Sequence, residues 1–160
     1  MPPRKPSQGS GDPWPAALCL LARRDYGSAE LRSRLLAKGF AAAAVDRALE
    51  RAVALGYVDD SRYAERLVSS LVKSGRAAGP RLVLELRRRG LPEELIAASV
   101  SAVQAGGSEE AALRDLVARR FPGFDYESAD SKGRRRVIHF LQRRGFPLDR
   151  ILNELKRNVP

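Results

Sequence analysis

The chain has 160 residues, 29 of them lysine or arginine against 19 aspartates and glutamates, a formal net charge of +10. With one cysteine, Cys19, and one histidine, His139, an intrachain disulfide and a Cys/His metal site are excluded, and the cysteine usage fits a reducing cytosol. No apolar run approaches the ~18 residues of a membrane span, and aromatics at 6% argue against stacking platforms for single-stranded bases.

Hydrophobic residues make up 44% of the chain, enough for a core. The basic excess is spread along the sequence rather than gathered in one tail, and it favours polyanionic or acidic partners by long-range attraction. Arginine predominates, which suits planar, bidentate contacts to phosphate or carboxylate. A GC-rich codon preference would give the same bias.

Residues 1–12 read as a short disordered basic arm. Asp12-Pro13 is a cap-plus-proline helix start, and the helix it opens runs to about Arg24 with Trp14, Leu18 and Leu21 on one face. Cys19, among leucines, is expected to be a small core residue. Gly27-Ser28 restarts the chain into a helix over 28–38. A third helix over 42–55 places Val45, Leu49 and Val53 together and stops at Gly56. The next helix is capped at Asp60 or one residue to either side, carries Tyr63, Leu67, Val68 and Leu71, and runs to about Ser74.

After a linker, Gly79-Pro80 opens a helix over 80–89 that stops at Gly90. Pro92 opens another, ending near Gln104, with Glu93 and Glu94 in its positive first turn. Ser108 starts a helix with Glu109 and Glu110 in the same role and Leu113, Leu116, Val117 and Phe121 on its apolar face. An irregular connection over 122–131 leads to a helix over about 131–144 with Val137, Ile138 and Leu141. Pro147 opens the last helix, with Ile151, Leu152 and Leu155. No segment alternates over five residues with β-branched content, so no strand is expected.

These nine helices repeat. With Gly39, Gly90 and Gly145 in one column, Leu31, Leu82 and Val137 stand eight residues earlier, and Leu35, Leu86 and Leu141 four earlier. Lys38, Arg89 and Arg144 come one earlier, and Phe40, Leu91 and Phe146 one later. Val45, Ile96 and Ile151 follow six later, and Leu49, Val100 and Leu155 ten later. Columns at a spacing of roughly fifty residues mark a repeat architecture. The predicted fold is all-α, with three tandem three-helix, helix-turn-helix-like repeats over 13–56, 57–105 and 106–160. A unit of about forty-five residues is too small to be robust alone, so the units are expected to stack as an elongated array.

No phosphate loop, nucleophile elbow or paired histidines are present. Asp59-Asp60 reads as a helix cap, and His139 as an ordinary side chain. No cofactor is expected. The arginine groups are harder to dismiss. Arg87, Arg88 and Arg89 end one helix, and Arg143 and Arg144 end another. The helix dipole accounts for one such cation but not three in a row. Arg134, Arg135 and Arg136 open a helix, where the dipole disfavours them. Local rules broken without visible compensation hint at function. These eight arginines are the candidate contact residues for nucleic acid or an acidic protein surface, with a solvated face as the alternative. Helices 42–55 and 92–104 are poor in the Arg, Asn and Gln that read bases, which weighs against simple helix-turn-helix recognition.

Leu20-Leu21-Ala22-Arg23-Arg24-Asp25-Tyr26-Gly27-Ser28-Ala29-Glu30-Leu31, with Leu35 and Lys38-Gly39, resembles the opening of RecX-type regulatory proteins. Gly56-Tyr57-Val58-Asp59-Asp60-Ser61-Arg62-Tyr63-Ala64 resembles the family's most recognisable motif, and Gly79-Pro80-Arg81-Leu82 with Glu85-Leu86 and Arg89-Gly90 a second. The resemblance runs from about Ala17 to Lys156. It departs where Val58 stands for a common leucine and Tyr63 for a common phenylalanine. It implies an all-helical, non-enzymatic regulator of three tandem three-helix repeats that binds the RecA recombinase and its filament on DNA. Such a regulator inhibits ATPase, strand exchange and coprotease activity and promotes net loss of filament, in the setting of DNA repair, recombination and the SOS response. The expectations that go with it are a cytoplasmic protein, monomeric, with nonspecific DNA contact possible and no membrane partner. A free-standing helix-turn-helix DNA-binding regulator is the alternative, and a purely structural scaffold a third reading.

Overall fold

The structure, a computed structural model, describes residues 11–157. The expected N-terminal arm falls outside the described residues through residue 10. In chain order the helices are α1 (Trp14–Leu21), α2 (Ser28–Ala37), α3 (Ala42–Ala54), α4 (Asp60–Lys73), α5 (Gly79–Arg88), α6 (Glu93–Ala105), α7 (Ser108–Arg120), α8 (Ser131–Gln142) and α9 (Leu148–Arg157). Among the described residues there is no strand, only an isolated bridge residue at Phe40. The described residues form two compact units, one of residues 11–64 with 89–91 and the other of 65–88 with 92–157.

The repeated columns are the core. Leu31, Leu82 and Val137 are buried, as are Leu35, Leu86 and Leu141, and Val45, Ile96 and Ile151. Each pair four residues apart shares a helix face, and each buried leucine or valine contributes about 1.5–3 kcal/mol before entropy is counted. In the first unit Leu31, Leu35, Val45, Leu49, Ala52 and Val58 pack with Ala17 and Tyr26. In the second, Leu113, Leu116, Val117, Val137, Leu141, Phe146, Ile151 and Leu155 pack with Ala78. Val100 is the exception in its column, being only half-buried.

Several expectations need correction. Cys19 is exposed. It lies two residues from Ala17, the only fully buried residue of α1, and two residues turn a helix by about 200°. Val53 is exposed rather than grouped with Val45 and Leu49, and Ala52 takes the inner position. Eight residues carry Val53 roughly 80° past Val45. Helix α1 also stops at Leu21, three residues short of the expected end, and α8 stops at Gln142.

Carboxylates from later helices close the starts of α2 and α5. In the first unit Asp60 Oδ1 accepts from the Ser28 N–H at 2.7 Å, and Oδ2 accepts from the Ser28 hydroxyl. In the second, Glu109 Oε1 accepts from the Gly79 N–H at 2.7 Å. Each satisfies a donor that the helix itself cannot pair. Asp59, meanwhile, caps α4 through the Arg62 N–H at 3.0 Å. Asp59 therefore serves its own helix and Asp60 serves α2. Glu109, read from sequence as a dipole partner of its own helix, is buried and engaged at the start of α5.

The glycines of the repeat have a second task. Gly39, Gly90 and Gly145 all have positive φ, at 92°, 74° and 96°, as a left-handed helix stop requires. Gly90 lies against Ala29, where an added Cβ would sit 2.6 Å from the Ala29 Cβ. Gly145 lies against Ala78 and Arg81, and the Ala78 N–H donates to the Arg144 carbonyl at 2.8 Å.

Candidate functional site

The eight candidate arginines divide into those the fold engages and those it leaves free. Arg89 follows α5 and meets the start of α2, with Nη1 3.5 Å from Glu30 Oε2 and 3.3 Å from the Tyr63 hydroxyl oxygen. Glu30 also receives Arg24 at 2.5 Å and the Tyr63 hydroxyl at 3.0 Å. Burial pushes the Glu30 carboxyl up, but the hydrogen bonds from Arg24 and Tyr63 and the charges of Arg24 and Arg89 outweigh it and hold it below its ordinary value. Burial, then the bond to Glu30, pushes the Tyr63 phenol up. This group of Arg24, Glu30, Tyr63 and Arg89 is a structural knot of the first unit.

Arg144 stands in the same repeat column as Arg89. Its Nη1 donates to the Gly75 carbonyl at 3.1 Å, and its guanidinium lies 4.6 Å from the Phe140 ring centroid. Arg134 donates to the Glu127 carbonyl at 2.7 Å and covers the Tyr126 ring at 4.9 Å. The start of α8 is capped by Asp130, whose Oδ1 accepts from the Gly133 N–H at 2.7 Å. The cation at this helix start thus has local compensation that the linear sequence hides. Arg135 Nε donates to the Ser131 carbonyl one turn back.

Arg87 reaches Glu93 in the first turn of α6, with Nε at 2.7 Å from one carboxylate oxygen and Nη2 at 2.9 Å from the other. The hydrogen bond from Arg87 lowers the Glu93 carboxyl, and its partner raises Arg87 in turn. Both side chains are exposed, so the pair contributes little to stability and its guanidinium stays accessible. Arg88 has only a loose, exposed contact of 3.5 Å with Glu85. Arg136 and Arg143 are exposed and have no acidic partner among the described residues. Arg87, Arg88, Arg136 and Arg143 are therefore the members of the candidate set that can meet a partner at little cost. Arg89, Arg134 and Arg144 are built into the fold, and Arg135, though exposed, is tied to the backbone of its own helix.

Arg143 opens onto a groove of about 640 Å³ in the second unit. Arg81, Leu84, Leu148 and Arg150 also line it, and none of these four was singled out from the sequence as a contact residue. A usable signal existed for the leucines: both lie outside the repeated columns, so the repeat does not require them to be apolar. Among the described residues, no group of three or more His, Cys, Asp or Glu side chains could hold a metal ion, and no helix is long and apolar enough to cross a membrane.

Comparison with known proteins places these features. Residues 16–51 match the first three-helix domain of RecX, residues 59–100 the second and residues 108–153 the third. Regulatory protein RecX of Trichlorobacter lovleyi is 48% identical over 145 residues, covering 91% of this chain and 94% of that protein. Regulatory protein RecX of Syntrophotalea carbinolica is 42% identical over 135 residues, covering 84% and 88%. The crystal structure of RecX from Lactobacillus salivarius superposes with a TM-score of 0.70 over 90% of this chain and 92% of that one, at 16% identity, a likeness of fold. An all-α chain whose three-helix domains match those of RecX in order, over most of its length, belongs to the RecX family.

Proposed function

We propose that this chain is a non-enzymatic regulator that binds the RecA recombinase and its filament on DNA. Binding restrains ATP hydrolysis, strand exchange and coprotease activity. The protein would work in the cytoplasm, as a monomer, within DNA repair, recombination and the SOS response. The observation that carries this reading is the ordered match of all three domains to RecX. The formal charge of +10 agrees with a target that carries nucleic acid, since a basic protein is steered toward a polyanion.

The mechanism is one of linkage. A protein that binds one filament state better than another shifts the population toward that state by its differential affinity, and needs no chemistry of its own. Several weak contacts on one chain reinforce each other by effective concentration. Arg87, Arg88, Arg136 and Arg143 are the cations proposed to make them. Arg89, Arg134 and Arg144, kept in the candidate set by the sequence, would act mainly by holding the helices that present the others.

The test is single-strand-dependent ATP hydrolysis by RecA, measured with sub-stoichiometric amounts of this protein. Inhibition is expected, and no effect at any ratio refutes the proposal. A salt titration on DNA alone separates it from a free-standing DNA-binding regulator. Nonspecific phosphate contact gives a salt slope without sequence preference, whereas a regulator of that kind discriminates between sequences.

A further inference from the structure

The groove at Arg143 combines two features that occur together nowhere else among the described residues of the second unit. Among its described residues, Leu84 and Leu148 are the large hydrophobic side chains that this unit leaves exposed, at 42% and 46%, and both line this one groove. Three guanidiniums line it as well, from Arg81, Arg143 and Arg150. Arg81 is shared with Glu85 at 3.0 Å, and Arg150 is engaged by Glu109 and Glu110. Arg143 has no acidic partner among the described residues. The start of α9, at Leu148, borders the same space and adds the partial positive charge of a helix N-terminus, whereas the start of α5, at Gly79, is already met by Glu109, which also lines the groove.

From this we infer that the groove is a docking site for an acidic protein segment carrying a bulky aliphatic or aromatic side chain. The apolar side chain would cover Leu84 and Leu148, and a flanking carboxylate would reach Arg143 and draw on Arg81. Charge complementarity selects the acidic partner. The leucines select a protein over a nucleic acid: they offer nothing to phosphate, and a strand would need an exposed ring for its bases to stack on, whereas the groove's one aromatic residue, Phe146, is buried. Arginine is among the residues enriched at interface hot spots. The inference deepens the function proposed above, on which it rests for the identity of the partner, by naming the kind of segment the partner presents.

The experiment uses the full chain and a fluorescein-labelled heptapeptide, Asp-Glu-Glu-Leu-Phe-Asp-Glu, followed by anisotropy. Two companion peptides carry serine for the Leu-Phe pair, or Asn and Gln for the acids. The variants are Arg143→Glu and the double Leu84→Ser/Leu148→Ser. All three positions are exposed, and unchanged melting confirms that the fold persists. Saturable binding is expected, weakened at least tenfold in either companion peptide and in either variant, and not displaced by a twenty-residue oligothymidylate. The inference is overturned if the parent peptide does not bind, if the serine peptide binds equally well, or if the leucine variant is indifferent. It is equally overturned if the oligonucleotide displaces the peptide and itself depends on the leucines. RecA ATPase inhibition is measured in parallel. Full inhibition by variants that have lost the peptide removes the groove and leaves the proposed function. Peptide binding without any inhibition removes the proposed function and leaves the groove.

Discussion

Replacing Gly145 by alanine should destabilise the protein far more than the same change at Gly56. Both glycines have positive φ, 96° and 71°, so both alanines carry a left-handed cost of about 1–2 kcal/mol. The surroundings differ. At Gly56 an added Cβ meets nothing within 4 Å, so strain is the whole effect. At Gly145 it would overlap the Ala78 carbonyl oxygen and come within 2.7 Å of the Arg81 Cβ. Backbone cannot swing aside as a flexible side chain can. The segments must separate, and that pulls on the buried hydrogen bond from the Ala78 N–H to the Arg144 carbonyl. Losing that bond costs about 1–3 kcal/mol, which makes the total for Gly145→Ala about 2–5 kcal/mol. At about 2–4 °C per kcal/mol for a chain of this size, its thermal midpoint should fall well below that of Gly56→Ala. Thermal unfolding followed by circular dichroism decides. Equal midpoints for the two variants would refute the claim that Gly145 is required for close approach rather than for its backbone angle alone.

The other expectations concern the core and the charged knot. Leu86 is fully buried, so Leu86→Ala should cost about 2–5 kcal/mol in a denaturant melt. Asp60→Ala removes the acceptor at the start of α2 and should cost about 1–2 kcal/mol, the usual value of a lost helix cap. Because the folded-state pKa of Glu30 is depressed, its stabilisation is present above the unfolded carboxylate range and is lost as pH falls through the lower folded value. Melts between pH 5 and pH 3 should therefore show a steeper loss in the natural protein than in Glu30→Gln, and parallel profiles would remove Glu30 from the account. Arg89→Ser should lower the melting temperature by uncoupling Glu30 and Tyr63, whereas Arg88→Ser, at an exposed site, should stay within about 0.5 kcal/mol of the parent and weaken partner binding instead.

Arg89 shows why the candidate site was only partly legible beforehand. Its place in a repeated column with Lys38 and Arg144 was visible, but its acceptor, Glu30, lies 59 residues away. Arg134 misled in the opposite sense. A cation at a helix start breaks a local rule, yet its partners, the Glu127 carbonyl and the Tyr126 ring, come from an irregular connection with no periodic signal. The groove residues were missed because grooves form between helices, and Leu84 and Leu148 come to line one groove only once the chain has folded.

By itself the sequence determined the all-α class, the helix order, the glycine stops and most of the buried columns. Each of these depends on residues three, four or eight apart, and helical geometry converts such spacings directly into faces. Val53 marks the limit of that conversion, since small angular drift decides which of two neighbouring residues turns inward. Only the tertiary structure decided which of the eight arginines are engaged, that Asp60 and Glu109 close the starts of helices other than their own, and that Arg143 shares a groove with two exposed leucines. Those outcomes are set by distances between segments dozens of residues apart, and such distances exist only once the apolar stripes have packed.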